Sequence, residues 1–173
     1  MSVIDRARSW LAQDPDPETR RELEALIDRG DVEELEARFD GELKFGTAGL
    51  RALLGAGPAR MNRVTVARTT AGLCVWLKQQ VPEAVSRGIC VGRDARLNSD
   101  VFERDVIEIA AGAGIPVWTF SDVVPTPVVA FAGRCDDHRE PQPAGIQRLQ
   151  GLLGERRTDH RSERQGHCGR DSA

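Results

Sequence analysis

The chain has 173 residues, with 24 Lys and Arg against 27 Asp and Glu and four scattered cysteines that form no CxxC pair. That length suits one domain with a real core, and the near-balanced charge excludes a strongly basic nucleic-acid binder, so no nucleic-acid partner is expected. No basic-then-apolar leader opens the sequence and no apolar run could span a bilayer, so no membrane partner is expected and a soluble, reducing, cytoplasmic setting is the simplest expectation.

The first forty residues read as helical. Ser2 can cap a helix with the apolar face Ile4, Ala7, Trp10 and Leu11, with Asp5 three residues on as a partial capping box. After "QDPDPET", Asp16 caps a second helix with Pro17 in its first position, Leu23, Leu26 and Ile27 on its face and Gly30 as its stop. Asp31 caps a third, "DVEELEARF". These short, charged helices are expected to form a lead-in, 1–40, packed on a larger unit, 41–133.

That larger unit alternates. "LKFGTAGLRALLG" reads as an extended segment broken by glycines. "MNRVTVARTTAGLCVWLKQQ" has helical spacing, with Val66, Thr70, Leu73, Cys74 and Leu77 on one face. "GICVGRD" and "IPVWTF" read as buried parallel strands. Between them "SDVFERDVIEIAAGAG" is a helix capped by Ser99, with Asp100 and Glu103 acidic near its start and Phe102, Val106, Ile109, Ala110 and Ala113 on one face. "SDVVPTPVVAFAGR" is a loop leading to a further helix. This order predicts an α/β class domain, α/β/α layered on a mixed, mainly parallel sheet and preceded by the helical segment.

Two loops carry chemistry. "FGTAGLR" puts Thr47, Gly49 and Arg51 within a few residues: glycine lets backbone approach an anion, and arginine offers a rigid fork. A glycine-rich turn with a solvated arginine fits the same string, and neither a P-loop nor a GxGxxG is present. "VGRDARLNS" places Arg93, Asp94 and Arg96 where a strand meets a helix, the ligand-binding end of a parallel sheet. Asp94 can equally pair with one of these arginines and simply fix the loop.

Taken together and in this order, "FGTAGLR", "GRDARLNS" and "VVPTPVVAFA" resemble the first domain of the α-D-phosphohexomutases, in the phosphoglucomutase- and phosphopentomutase-like branch, from Ser2 to about Ala132. The resemblance implies transfer of phosphate between the 1- and 6-positions of a hexose, or the 1- and 5-positions of a pentose, through a phosphoserine and a sugar bisphosphate. It implies Mg²⁺ and the bisphosphate as cofactors of a four-domain parent, with a sugar phosphate as partner and none of these cofactors bound by this chain alone. By motif, Arg51 approaches the phosphoserine and the substrate phosphate, Thr47 and Gly49 shape that loop, and Arg93, Asp94 and Arg96 border the cleft. The Val124–Thr126 loop precedes the helix that leads to the phosphoserine strand.

The phosphoserine loop itself, T-A-S-H-N-P in the family, is missing, so no catalytic residue is assigned. From Cys135 to Pro143 the chain instead reads "CDDHREPQP". These nine residues can be encoded TGT GAT GAT CAC CGC GAG CCA CAA CCC, a choice of synonymous codons that, displaced by one base, spells V-M-I-T-A-S-H-N, and the following residues permit P-P-E-Y-N-G-Y-K-V-Y-W-E-N-G. The expectation is that residues after about Ala132 are out-of-frame translation and that 134–173 form a largely disordered tail. The codon of the reactive serine then straddles Glu140 and Pro141, and the sheet lacks its last core strand. Two other readings stand beside this one. Cys135, Asp136, His138, His160, His167 and Cys168 are ligand types, but their spacings match no standard zinc pattern, and no metal residues are assigned. A non-catalytic phosphate- or nucleotide-binding α/β module would also use the two loops. Resequencing the gene is expected to show the displaced frame encoding T-A-S-H-N immediately after the last in-frame helix; an intact frame with unrelated codons overturns this.

Overall fold

The computed structural model describes residues 1–46, 49–81 and 83–133, together with the backbone of 146–149. Helices α1 (Val3–Leu11), α2 (Pro17–Arg29) and α3 (Val32–Phe39) open the chain. Their ends fall where local chemistry puts them. The Asp5 amide donates to Ser2 Oγ at 3.1 Å while the Ser2 amide donates to Asp5 Oδ2 at 3.1 Å. Asp16 and Asp31 accept from the amides of Glu18 and Glu34, and Gly30 ends α2 with φ 63°. The three helices bury Ala7, Trp10, Leu23, Leu26, Leu35 and Phe39 in one cluster that also takes in Ala56 and Val64 from the following unit. Trp10 and Phe39 meet edge to face at 6.0 Å, and the Arg68 guanidinium lies 5.2 Å from the Trp10 ring.

Arg38 joins these helices to the glycine-rich segment that follows. Its side chain, 10% exposed, pairs with Glu22 at 2.7 Å and Glu34 at 2.8 Å, and Glu34 also takes Arg60 at 3.2 Å. Glu22 in turn accepts from the Ala56 amide at 3.0 Å. Gly57, at φ 108°, runs so close that a Cβ there would sit 2.9 Å from the Arg38 carbonyl oxygen, so both backbone angle and space demand glycine. Asn62 closes the segment: its Nδ2 donates to the carbonyls of Gly55 and Gly57 at 2.8 Å each, and its Oδ1 caps the next helix.

That helix, α4 (Arg63–Gln80), leads through α5 (Ala84–Arg87) to β1 (Ile89–Val91), α6 (Ser99–Gly112), β2 (Val117–Phe120), α7 (Thr126–Ala132) and β3 (Ile146–Leu149). Strands β1 and β2 are parallel, with Cys90 opposite Trp118, and β3 is antiparallel to β2, giving the order β1-β2-β3. A second core, Cys74, Ala110, Ile115 and Val117 with Leu77, Ile89, Val91 and Ile107 against it, fills the space between the α4–α6 pair and the sheet. Strand alternation turns Cys90 the other way, towards the end of α7 at Gly133, so helices flank both faces. The class is α/β, layered α/β/α on a mixed sheet. Arg63 ties α4 to α6 through a bidentate pair with buried Asp105, at 2.8 and 2.6 Å.

Three local expectations change. Leu73 is 44% exposed, because the buried stripe of α4 runs Val66, Thr70, Cys74 and on to Leu77, leaving Leu73 at its margin; Val64 and Thr65 are buried in its place, against the N-terminal helices and within the cap. Asn98, not Ser99, is the N-cap of α6, at φ 63° and with no side-chain cap bond, because the Ser99 hydroxyl donates to Asp94 instead. The backbone of 146–149, within the stretch expected to be largely disordered, forms a strand. An unpaired sheet edge accepts any short extended segment whose amides reach it, whatever its side chains, and β2 provides that edge. The rest of the tail lies outside the described residues.

Removing Arg38 leaves Glu22, Glu34 and the Ala56 region without their common partner. Arg38→Met is expected to cost about 1–2 kcal/mol in urea unfolding, since the two carboxylates left behind are each over a third exposed. The Arg38 hydrogen bond holds the Glu34 carboxyl below its ordinary range. Burial pushes Glu22 up, but bonds from Arg38 and the Ala56 amide bring it below its ordinary value overall. Depressed carboxylates stabilise above their unfolded pKa and lose that stabilisation as pH falls through the folded value. Wild-type stability should therefore decline on acidification more steeply than that of Arg38→Met.

Candidate functional site

The carboxyl end of β1 runs into the loop 92–98, which the fold holds rigidly. A Cβ on Gly92 would lie 2.6 Å from Val129 Cγ2 and 2.8 Å from Val124 Cγ2, so only glycine lets the strand end pass beneath α7 and the loop before it. The Arg93 carbonyl accepts from the Val124 amide at 2.9 Å, joining this loop to the one that precedes α7. Asp94 folds the loop onto the start of α6: its Oδ1 accepts from Ser99 Oγ at 2.7 Å and from the Arg96 amide at 3.1 Å, and its Oδ2 pairs with Arg96 Nε at 3.1 Å. The Ser99 hydroxyl and then the Arg96 amide hold the Asp94 carboxyl below its ordinary range, so it is an anion at neutral pH. Asn98 supplies the left-handed turn, φ 63°, that enters the helix.

Arg93 pairs with Glu103 on α6 at 3.0 Å. Burial pushes the Glu103 carboxyl up, opposed by the Arg93 charge and reinforced by Asp100. Its Oε1 is buried and has no hydrogen-bond partner among the described residues. Arg93, Asp94, Phe102, Glu103, Thr126 and Val129 line an open cavity of about 370 Å³ between α6, α7 and the strand end. Apolar walls with a few charged groups at the carboxyl end of a parallel strand form a ligand-binding arrangement.

The sequence-predicted residues separate into three groups. Arg93 and Asp94 share the cavity. Arg96 turns outward, 85% exposed, and pairs with its near neighbour Asp94. Gly49 and Arg51 lie on the preceding segment, where Gly46 and Gly49 exchange two backbone hydrogen bonds, at 3.2 and 3.0 Å, and Gly49 takes φ 82°. Arg51 is exposed, and neither residue lines this cavity. Thr47 lies outside the described residues. The two loops approach at a second cavity, of about 320 Å³, where Leu54 and Gly55 of one meet Leu97 and Asn98 of the other. Sequence reasoning gave Glu103 no role beyond acidity near a helix start. The available signal was an acidic residue four positions after Ser99, the first residue of α6, beside an arginine-bearing loop.

Among the described residues no three His, Cys, Asp or Glu side chains cluster as metal ligands. The tail residues Cys135, Asp136, His138, His160, His167 and Cys168 lie outside the described residues. No helix among the described residues is long and apolar enough to cross a membrane.

Comparison with known proteins places this geometry. Residues 42–138 match the family model for phosphoglucomutase/phosphomannomutase, alpha/beta/alpha domain I. The chain is 41% identical to mouse phosphopentomutase over 128 residues, covering 70% of this chain and 21% of the relative. It is 37% identical to Saccharomyces cerevisiae phosphoribomutase over 126 residues, with 71% and 20% covered. It is 36% identical to mouse glucose 1,6-bisphosphate synthase over 129 residues, with 71% and 21% covered. The chain thus spans about a fifth of the length of the curated relatives it matches. No solved structure matches it. With a domain I match over more than half its length, on an α/β/α fold whose arginine-bearing loop closes a parallel strand, the chain belongs to the phosphoglucomutase/phosphomannomutase family.

Proposed function

We propose that this chain is the first-domain part of a phospho-sugar mutase of the phosphopentomutase and phosphoribomutase kind, and that by itself it does not catalyse the reaction. The parent reaction moves phosphate between the 1- and 5-positions of a pentose, or the 1- and 6-positions of a hexose, by way of a phosphoserine and a sugar bisphosphate. The observation that carries this reading is the domain I match over 42–138, which includes both "FGTAGLR" and "GRDARLNS".

In this reading Arg93 offers its guanidinium to a phosphate in the cavity, and Asp94 holds the loop through Ser99 and Arg96. Arg51 and Arg96, both exposed, are positioned to meet a phosphate delivered by other parts of a parent enzyme. Gly49, at φ 82°, shapes the turn beside Arg51, and the motif assigns Thr47 to the same loop. Phosphoryl transfer needs charge neutralised on the group in flight, which Mg²⁺ supplies in the parent. This reading assigns the ligands of that ion to the remainder of the parent.

The loss of activity follows from the tail. The family match ends at residue 138, within "CDDHRE", before the position where the displaced frame would spell the reactive serine. Neither Glu140 nor Pro141 carries a hydroxyl that could hold and pass on a phosphoryl group. The purified 173-residue chain is therefore expected to leave ribose 1-phosphate and glucose 1-phosphate unchanged in coupled assays with Mg²⁺ and the matching bisphosphate. The gene with its frame restored is expected to give a product that turns over at least one of them. Turnover by the short chain overturns the inactivity, and failure of the restored product on both substrates overturns the assigned reaction.

A further inference from the structure

Two arginines share the loop after β1, and the fold treats them differently. The Arg96 side chain pairs with Asp94, two positions away, and stays largely exposed. Arg93 is fixed through both backbone and side chain. Gly92 before it is wedged beneath Val124 and Val129, and its own carbonyl accepts from the Val124 amide. Its Nε pairs with Glu103 Oε2 at 3.0 Å, in a site where the two side chains are 29% and 13% exposed. Pairing through Nε occupies the inner edge of the guanidinium. The outer edge, made by the two terminal nitrogens, is the fork that matches two oxygens of a phosphate.

We infer that Glu103 is a positioning residue, holding Arg93 through Nε so that the outer edge of its guanidinium is presented, already oriented, to a phosphate monoester in the cavity at the end of β1. The inference rests on the proposed reading of this loop as a phosphate-binding element. Two effects of the carboxylate oppose each other. Its charge, close to the cation, weakens attraction for an anion. Its hold on a long, rotamer-rich side chain strengthens binding, because the ordering is done before the ligand arrives. If Glu103 merely neutralised Arg93 or filled space, removing its charge would tighten phosphate binding. If it positions Arg93, removal weakens binding.

The purified 173-residue chain is titrated with inorganic phosphate at low ionic strength, following the Arg93 side-chain Nε–H resonance, identified by its loss in Arg93→Lys. Wild type, Glu103→Gln and Glu103→Leu are compared. The wild type is expected to show a sharp resonance that phosphate moves. Affinity should fall about threefold in Glu103→Gln, which keeps an acceptor, and about tenfold in Glu103→Leu, the scale of a charge-assisted hydrogen bond. Charge alone gives the opposite sign, so any result other than weaker binding in both variants overturns the positioning role while leaving the phosphate-binding reading intact. A wild-type resonance that phosphate does not move overturns both. If the variants do not fold, the wild type decides. A sharp resonance before ligand is added, moved by phosphate, supports the tether, and one broadened by free rotation of the guanidinium overturns it.

Discussion

Arg38 is the residue on which the arrangement of the glycine-rich segment depends. Its guanidinium lies beneath the segment that follows "FGTAGLR", neutralised by Glu22 and Glu34, with Arg60 brought onto Glu34 from the far side. Glu22 reaches past it to the Ala56 amide, and Gly57 closes directly over its backbone. Isolated surface ion pairs contribute little, but a cation one-tenth exposed with two carboxylate partners and a backbone ligand shared between them forms a network, and its members are not independent. Through it, three short helices that would be marginal alone become the floor of a loop. Their core confirms the coupling, since Ala56 and Val64 are packed into it with Trp10 and Phe39.

From that floor the order is passed on by contacts of a different kind. Asn62 ties down Gly55 and Gly57 and starts α4, Arg63 at the first turn of α4 grips Asp105 on α6, and α6 carries Glu103 to Arg93. Each step uses a side chain with several donors or acceptors to connect two backbone segments. The cavity at the end of β1 thus depends on helices distant from it in sequence. Its own walls are mainly packing constraints: Gly92 has no room for a side chain, and Val124 and Val129 set that limit.

The charged groups at the cavity are held in different ways. Asp94 is engaged by Ser99 and Arg96 and so is occupied with holding the loop, which is the bland role open to it from the sequence. Arg93 pairs with Glu103 through Nε and lines the open cavity beside Phe102 and Val129. Arg51, by contrast, is exposed on a loop with glycines on either side, a geometry that suits contact with a partner brought to it more than a preformed pocket.

The sequence by itself determined the features whose physical cause lies within a few residues. The caps at Ser2, Asp16 and Asp31 are hydrogen bonds spanning two or three residues, and the glycine stop at Gly30 is a backbone angle. Strand–helix alternation and the two motif loops were legible for the same reason, and through them the family. Only the tertiary structure decided which arginine of "GRDAR" is fixed, because Glu103 reaches Arg93 across a turn whose geometry Asn98 and Gly92 set. It alone decided that Leu73 lies at the margin of α4, since burial depends on which elements pack against a face and not on the face's composition. The Arg38 network was likewise hidden, because its bonds join positions 34 and 26 residues apart, and no local pattern records which distant charge a buried guanidinium will meet.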